Sequence, residues 1–249
     1  MRGIPSRKQW AKWTLGTKAS YLGVWLGGIG LAITIALTVF HERKVTPLQS
    51  PKELEFEQLL YEADEQVHKP FEAWRPRTLE SSVKCDDGSQ IATRALALAE
   101  KIEVFDTNEL GSYRATKAMA QHEYLAMLYC WAAAVVDTCK HTLPNSDQRV
   151  TPLARRVLVE YDAVSSMRQK LFAEDTKDSN LPRLREIAQQ IENITAWYAA
   201  RAACILFLRG EYNYRDAYRL AQLAHDIFPT EPDVWIDKVR KAPMGANPK

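Results

Sequence analysis

Five histidines, four cysteines and a scatter of serines and acids are the side chains of this 249-residue chain that could do chemistry. The histidines are His41, His68, His122, His141 and His225. Zinc needs ligands one helical turn apart or in close cysteine pairs, and neither His-Glu-x-x-His nor Cys-x-x-Cys occurs. His122-Glu123 and His225-Asp226 are adjacent pairs that a helix points in different directions, so they read as surface or boundary residues. Ser165 and Ser166 lack the Gly-x-Ser-x-Gly elbow that presents a nucleophile. Gly27-Gly28-Ile29-Gly30 lies inside an apolar run and is no phosphate loop. Asp86-Asp87-Gly88 lacks the spaced ligands and distal Glu of a calcium loop and reads as a turn before a helix. Asn193-Ile194-Thr195 is a formal glycosylation sequon inside a predicted helix. These patterns point away from an enzyme, and no catalytic residue, metal or cofactor is expected.

The cysteines carry more. Cys85, Cys130, Cys139 and Cys204 all follow the apolar run, an even number in a part of the chain expected to be exported. Cys130 and Cys139 are nine residues apart, which puts them on opposite sides of one helix. Cys85 stands just before one predicted helix and Cys139 near the end of the next. Antiparallel packing brings those two ends together, so a Cys85–Cys139 disulfide is expected. Cys130 and Cys204 fall on apolar faces and are expected to be buried thiols.

The elements that position these groups begin with residues 19–40, which carry no charge. A bilayer core about 30 Å thick needs about 20 helical residues, so this run is long enough to span one. Tyr21 and Trp25 lie near one end, where amphipathic rings favour the headgroups. Uncharged runs of this length are rare in soluble cores. No small-residue cleavage site follows the run, so an uncleaved anchor is expected in place of a signal peptide. Gly23 and Gly27 are spaced by four, and Gly28, Ala32 and Ala36 continue small residues at that spacing. This face suits contact with another membrane helix, from a partner or from a second copy.

Charge sets the orientation. Residues 1–18 carry Arg2, Arg7, Lys8, Lys12 and Lys18 and no acid, whereas the whole chain has 33 basic and 31 acidic residues. The body is therefore slightly acidic and shows no electrostatic footprint for nucleic acid. The positive-inside rule keeps residues 1–18 in the cytoplasm and sends the body across. In a bacterium that places the body in the periplasm. The basic, acid-free N-terminus also suits organellar targeting and the mitochondrial inner membrane.

Residues 41–49 read as a linker. Ser50-Pro51-Lys52-Glu53 then forms a capping box with Pro in the first turn, followed by a helix running to Pro70. Residues 69–90 read as irregular around Pro70, Pro76 and Gly88. Ile91, Ala95, Leu98 and Ile102 recur at helical spacing. A long helix is predicted over 113–136, and its uncharged half, 124–136, marks it as the central core helix. Thr151-Pro152 is taken to open the next helix, Asn180 and Pro182 another that Gly210 ends, and further helices cover 214–228 and 232–240. Residues 241–249 read as a loose tail. The predicted class is all-α, with one transmembrane helix followed by a soluble helical domain over 50–240, built as hairpins, a bundle or a tetratricopeptide-like stack.

The stretch Leu208-Arg209-Gly210-Glu211-Tyr212, followed by Ala217, Ala221, Ala224 and Pro229, resembles a tetratricopeptide-type helical hairpin over residues 194–232. In that family a Gly ends the first helix, small residues seat the second, and Pro closes the unit. The Gly210-to-Ala217 interval is longer than the family pattern, and no clear second copy recurs at about 34 residues. The resemblance implies a surface that binds protein segments.

The resulting expectation is a non-enzymatic, membrane-anchored interaction or scaffold component of a multiprotein assembly of the secretion, conjugation or envelope-biogenesis type. The rivals are an accessory subunit of an organellar inner-membrane complex and an anchored enzyme or small-molecule binder. The last of these predicts a pocket with converging polar groups.

Overall fold

A computed structural model of the chain describes residues 50–76, 84–110, 114–140, 146–173, 180–231 and 233–243. The expected membrane segment 19–40, with Gly23, Gly27, Gly28, Ala32 and Ala36, lies outside the described residues, as do the expected linker 41–49 and most of the tail. Among the described residues the fold is all-α, and no helix there is long and apolar enough to cross a membrane.

Helix α1 (Pro51–Ala63) begins at the predicted capping box. The Ser50 hydroxyl accepts from the Glu53 amide at 3.2 Å, and the Glu53 carboxylate accepts from the Ser50 amide at 2.9 Å. Two otherwise orphaned donors are thereby satisfied. The chain does not break at Pro70. A π-helical turn (Asp64–His68) follows α1 and leads directly into α2 (Lys69–Trp74). Pro70 has no N–H to donate and would crowd the carbonyl four residues back; the wider turn absorbs both defects, leaving Pro70 in the first turn of α2.

Helix α3 (Cys85–Glu103) starts earlier than the sequence predicts, so Asp86, Asp87 and Gly88 are its first turn and not a loop before it. Two acids at a helix N-terminus are favoured by the exposed amides there. The Trp74 indole lies across this turn and donates to the Lys84 carbonyl at 2.9 Å. A Cβ added at Gly88 would stand 2.7 Å from Trp74 Cζ2. Gly88→Ala gains about 1 kcal/mol of helix propensity but must displace a pinned ring, at a cost of about 1–3 kcal/mol. The variant is therefore expected to be less stable, by up to about 2 kcal/mol in urea unfolding. A stabilised variant would show that Trp74 moves freely.

Helix α4 (Arg114–Thr138) is buried on nearly all sides from Leu125 to Val136, because that stretch has no polar face to offer water. It touches α3, the π-helical turn, α5 (Ser146–Ala173) and α6 (Leu181–Leu208). Gln121 on α4 donates to the carbonyls of Ile102 and Phe105, at 2.6 and 2.9 Å, and so caps the end of α3. Helix α5 begins before the predicted Thr151-Pro152 and carries Pro152 within it. The carbonyl four residues back belongs to exposed Gln148, where water can replace the lost bond. Packing of Val150, Ala154 and Val157 into the core offsets what remains of the proline's cost.

Helix α6 ends in a Schellman turn. Gly210 has φ 78°, its amide donates to Phe207 at 2.9 Å, and the Glu211 amide donates to Leu206 at 2.9 Å. Helix α7 (Tyr214–Ile227) buries Ala217, Leu220, Ala221 and Ala224 at helical spacing, and α8 (Val234–Arg240) closes the described fold. Each long helix packs on the next. In addition α4 packs on α6, and α6 on α8. Runs of alanine, Ala132 to Ala134 on α4 and Ala199, Ala200, Ala202 and Ala203 on α6, are buried and let backbones approach closely.

Candidate functional site

From Ala196 to Leu208, α6 carries a single charged residue. Arg201 interrupts the run from Ala199 to Phe207 and is fully buried. A guanidinium stripped of water needs compensation from charge, hydrogen bonds or aromatic faces. Asp233 supplies the charge, with its Oδ2 accepting from Arg201 Nε at 2.5 Å. Its other oxygen accepts from the amides of Trp235 and Ile236, at 3.0 Å each, and so caps α8. One carboxylate thus starts a helix and neutralises a buried cation.

Aromatic rings do the rest. The Arg201 guanidinium carbon lies 4.2 Å from the Trp197 ring centre, 4.4 Å from Trp131, and 5.5 Å from both Phe71 and Trp235. Among the described residues Arg201 Nη1 has no hydrogen-bond partner, and the electron-rich ring faces substitute for one. Trp131 stacks on Phe71 with centres 4.1 Å apart, and on His68 at 5.8 Å. The Trp235 indole donates to Asp137 at 3.2 Å, and Asp137 also meets Arg209 at 3.3 Å. Helices α2, α4, α6 and α8 and the π-helical turn therefore meet at one cationic centre.

An open pocket adjoins this cluster. It encloses about 260 Å³ and is lined by His68, Glu72, Ile194, Trp197, Phe228 and Glu231. The π-helical turn provides His68, α2 Glu72, α6 Ile194 and Trp197, and the end of α7 with its following turn the other two. Arg75 Nε lies 3.0 Å from Glu72, and its Nη2 lies 3.6 Å from Glu231. Two carboxylates share one guanidinium, and the longer contact exceeds hydrogen-bond range.

A second polar network lies on the other side of α4. Glu160 on α5 is almost wholly buried, with His122 Nδ1 and Arg156 Nε each 2.6 Å from its oxygens. Arg156 continues to Glu103 at 2.6 Å, and the Tyr129 hydroxyl donates to the same carboxylate at 3.2 Å. Burial first, and then the Glu103 charge, pushes the Tyr129 phenol up to about 12. His122 is thus a partner of a core carboxylate, a role its adjacent Glu123 does not reveal in the sequence.

Glu123 itself is half-buried, and loss of water pushes its carboxyl up to about 7. A folded-state value above the unfolded 4.5 means the folded chain binds more protons across pH 4.5 to 7. Stability contributed by the neutral carboxyl is fully present below pH 4.5 and is lost as pH rises through 7. Glu123→Gln should therefore stabilise the protein at pH 8, by at most about 3 kcal/mol. It should change little at pH 4.5, and equal effects at both pH values would contradict the burial argument.

The structure joins Cys85 and Cys139 in a disulfide, with Cα atoms 5.6 Å apart. Cys130 and Cys204 are buried thiols. Burial raises both, Cys130 to about 12, so neither is a poised nucleophile. Gly210, Tyr212, Ala217, Ala221 and Ala224 lie at the α6–α7 turn and interface, with Pro229 exposed in the turn after α7. No cluster of metal-ligating side chains occurs among the described residues.

Arg201, Asp233, Glu72 and Glu231 are not legible as a group in the sequence. The available signals were a lone charge within an apolar helix and an Asp placed to cap α8. No family model, no curated protein and no solved structure matches the chain.

Proposed function

We propose that the protein is a non-enzymatic, membrane-anchored interaction component of a multiprotein assembly. Residues 19–40 anchor it in the bacterial inner membrane, and the helical body presents a binding surface in the periplasm. The observation that carries this reading is the Cys85–Cys139 bridge. Disulfides persist in oxidising compartments, and the basic residues 1–18 independently predict export of the body. The stacking of α4 on α6 and α6 on α8, with the Gly210 turn and the buried alanines of α7, supports a tetratricopeptide-like platform for protein segments. Anchoring confines the platform to the membrane vicinity and raises the effective concentration of partners there. The acid-free residues 1–18 favour, as a second reading, an accessory subunit in a mitochondrial inner membrane.

The test is recovery of the full-length protein in mild detergent, with sizing and mass spectrometry. A reproducible complex containing other membrane or exported proteins is expected. An isolated monomer or a pure homo-oligomer would sink the reading.

A further inference from the structure

We propose that the pocket between α2, α6 and the turn after α7 docks a basic side chain, Arg or Lys, from a protein partner. This rests on the interaction role above and names the chemistry by which one contact is made. Charge selects the occupant. Counting His68 as neutral, Glu72, Glu231 and Arg75 leave one negative charge at the pocket, since two carboxylates share a single guanidinium. The Arg201 guanidinium, 4.2 Å from the Trp197 ring centre, is matched by Asp233 and so does not cancel it. Glu231 is the available group, because its side chain is 51% exposed and held only at 3.6 Å.

The walls suit the same occupant. Trp197, Phe228 and Ile194 present apolar and aromatic surface to a side chain's methylene stem, and the carboxylates face its charged end. Aromatic rings also attract the cation directly, as Trp197 already does for Arg201. Size argues against a free metabolite. About 260 Å³ lies below the range of roughly 300–1,000 Å³ usual for small-molecule sites, yet is ample for one side chain. A single such contact is weak, and anchoring at the membrane makes weak contacts sufficient.

The test uses the full-length protein in nanodiscs, with tryptophan indole resonances followed by NMR and Trp197 assigned by Trp197→Phe. The probes are a capped Gly-Gly-Arg-Gly-Gly peptide, its citrulline counterpart and tetramethylammonium. The arginine peptide is expected to shift the Trp197 indole saturably and the citrulline peptide to leave it unmoved. Raising salt should weaken the effect. Glu231→Gln on the exposed turn should weaken binding about tenfold, and Glu231→Lys should abolish it. Equal binding of the citrulline peptide, or no shift with folded protein, overturns the proposal. Tetramethylammonium binding as tightly as the arginine peptide overturns it in favour of a free small cation. The two readings fail separately. A complex that survives Glu231→Lys while no arginine peptide binds sinks only the pocket assignment. Arginine-specific binding by a protein that copurifies with nothing sinks only the assembly role.

Discussion

Arg201→Met is expected to remove about 3–5 kcal/mol of stability, the cost of breaking a buried ion pair from one side. The loss has two parts. Asp233 keeps its two amide donors at the start of α8 but loses its counter-charge in a site where it is only 4% exposed. The rings of Trp197, Trp131, Phe71 and Trp235 lose the cation at their centre, a contribution of about 1–2 kcal/mol where water is excluded. In a body of about two hundred residues this corresponds to a fall in Tm of roughly 10 °C. Arg201→Met combined with Asp233→Asn should recover part of the loss, because the amide keeps a capping oxygen without an unpaired charge. Urea unfolding followed by circular dichroism reads both. A loss below about 1 kcal/mol for the single variant would show that Asp233 is already hydrated and the cluster is not one unit.

That cluster also marks the limit of what the sequence discloses. Periodicity identifies α3, because Ile91, Ala95, Leu98 and Ile102 recur at three and four along one chain segment, and start and stop signals around Pro182 and Gly210 identify α6. The uncharged half of α4 identifies the central helix for the same local reason. Pro70 and Pro152 mislead because a proline's cost depends on the neighbouring backbone. One is absorbed by a π-helical turn, and the other sits where its orphaned carbonyl reaches solvent. Gly88 misleads in the opposite direction: it is a helical residue kept small by Trp74, fourteen residues earlier in the chain. The candidate pocket joins His68 and Glu72 to residues more than a hundred positions away. No spacing rule spans that distance, so its acidic and aromatic character emerges only once α6 and α7 are packed. The disulfide lies between these cases, since helix ends and an antiparallel turn suffice to pair Cys85 with Cys139.

Replacing both of those cysteines by alanine is expected to lower stability by about 4 kcal/mol. The bridge closes a loop with a sequence separation of 54 residues, and chain-entropy reasoning makes a loop of that size costly to leave open in the unfolded state. It also fastens the first residue of α3 to the turn after α4, the central helix, where fraying would expose the buried alanines and Val135. Reduction of the native protein should produce nearly the same loss, and reductant should have no further effect on the double variant. Thiol titration after unfolding without reductant should count two free thiols, Cys130 and Cys204. Four would remove the bridge and, with it, the structural observation behind the proposed export of the body. The same experiment therefore bears on function. Protein retained in a reducing cytosol should lack the bridge and unfold at correspondingly lower urea, whereas protein inserted across the membrane should carry it. A body equally stable from both compartments would mean that α3 and α4 hold together by packing alone.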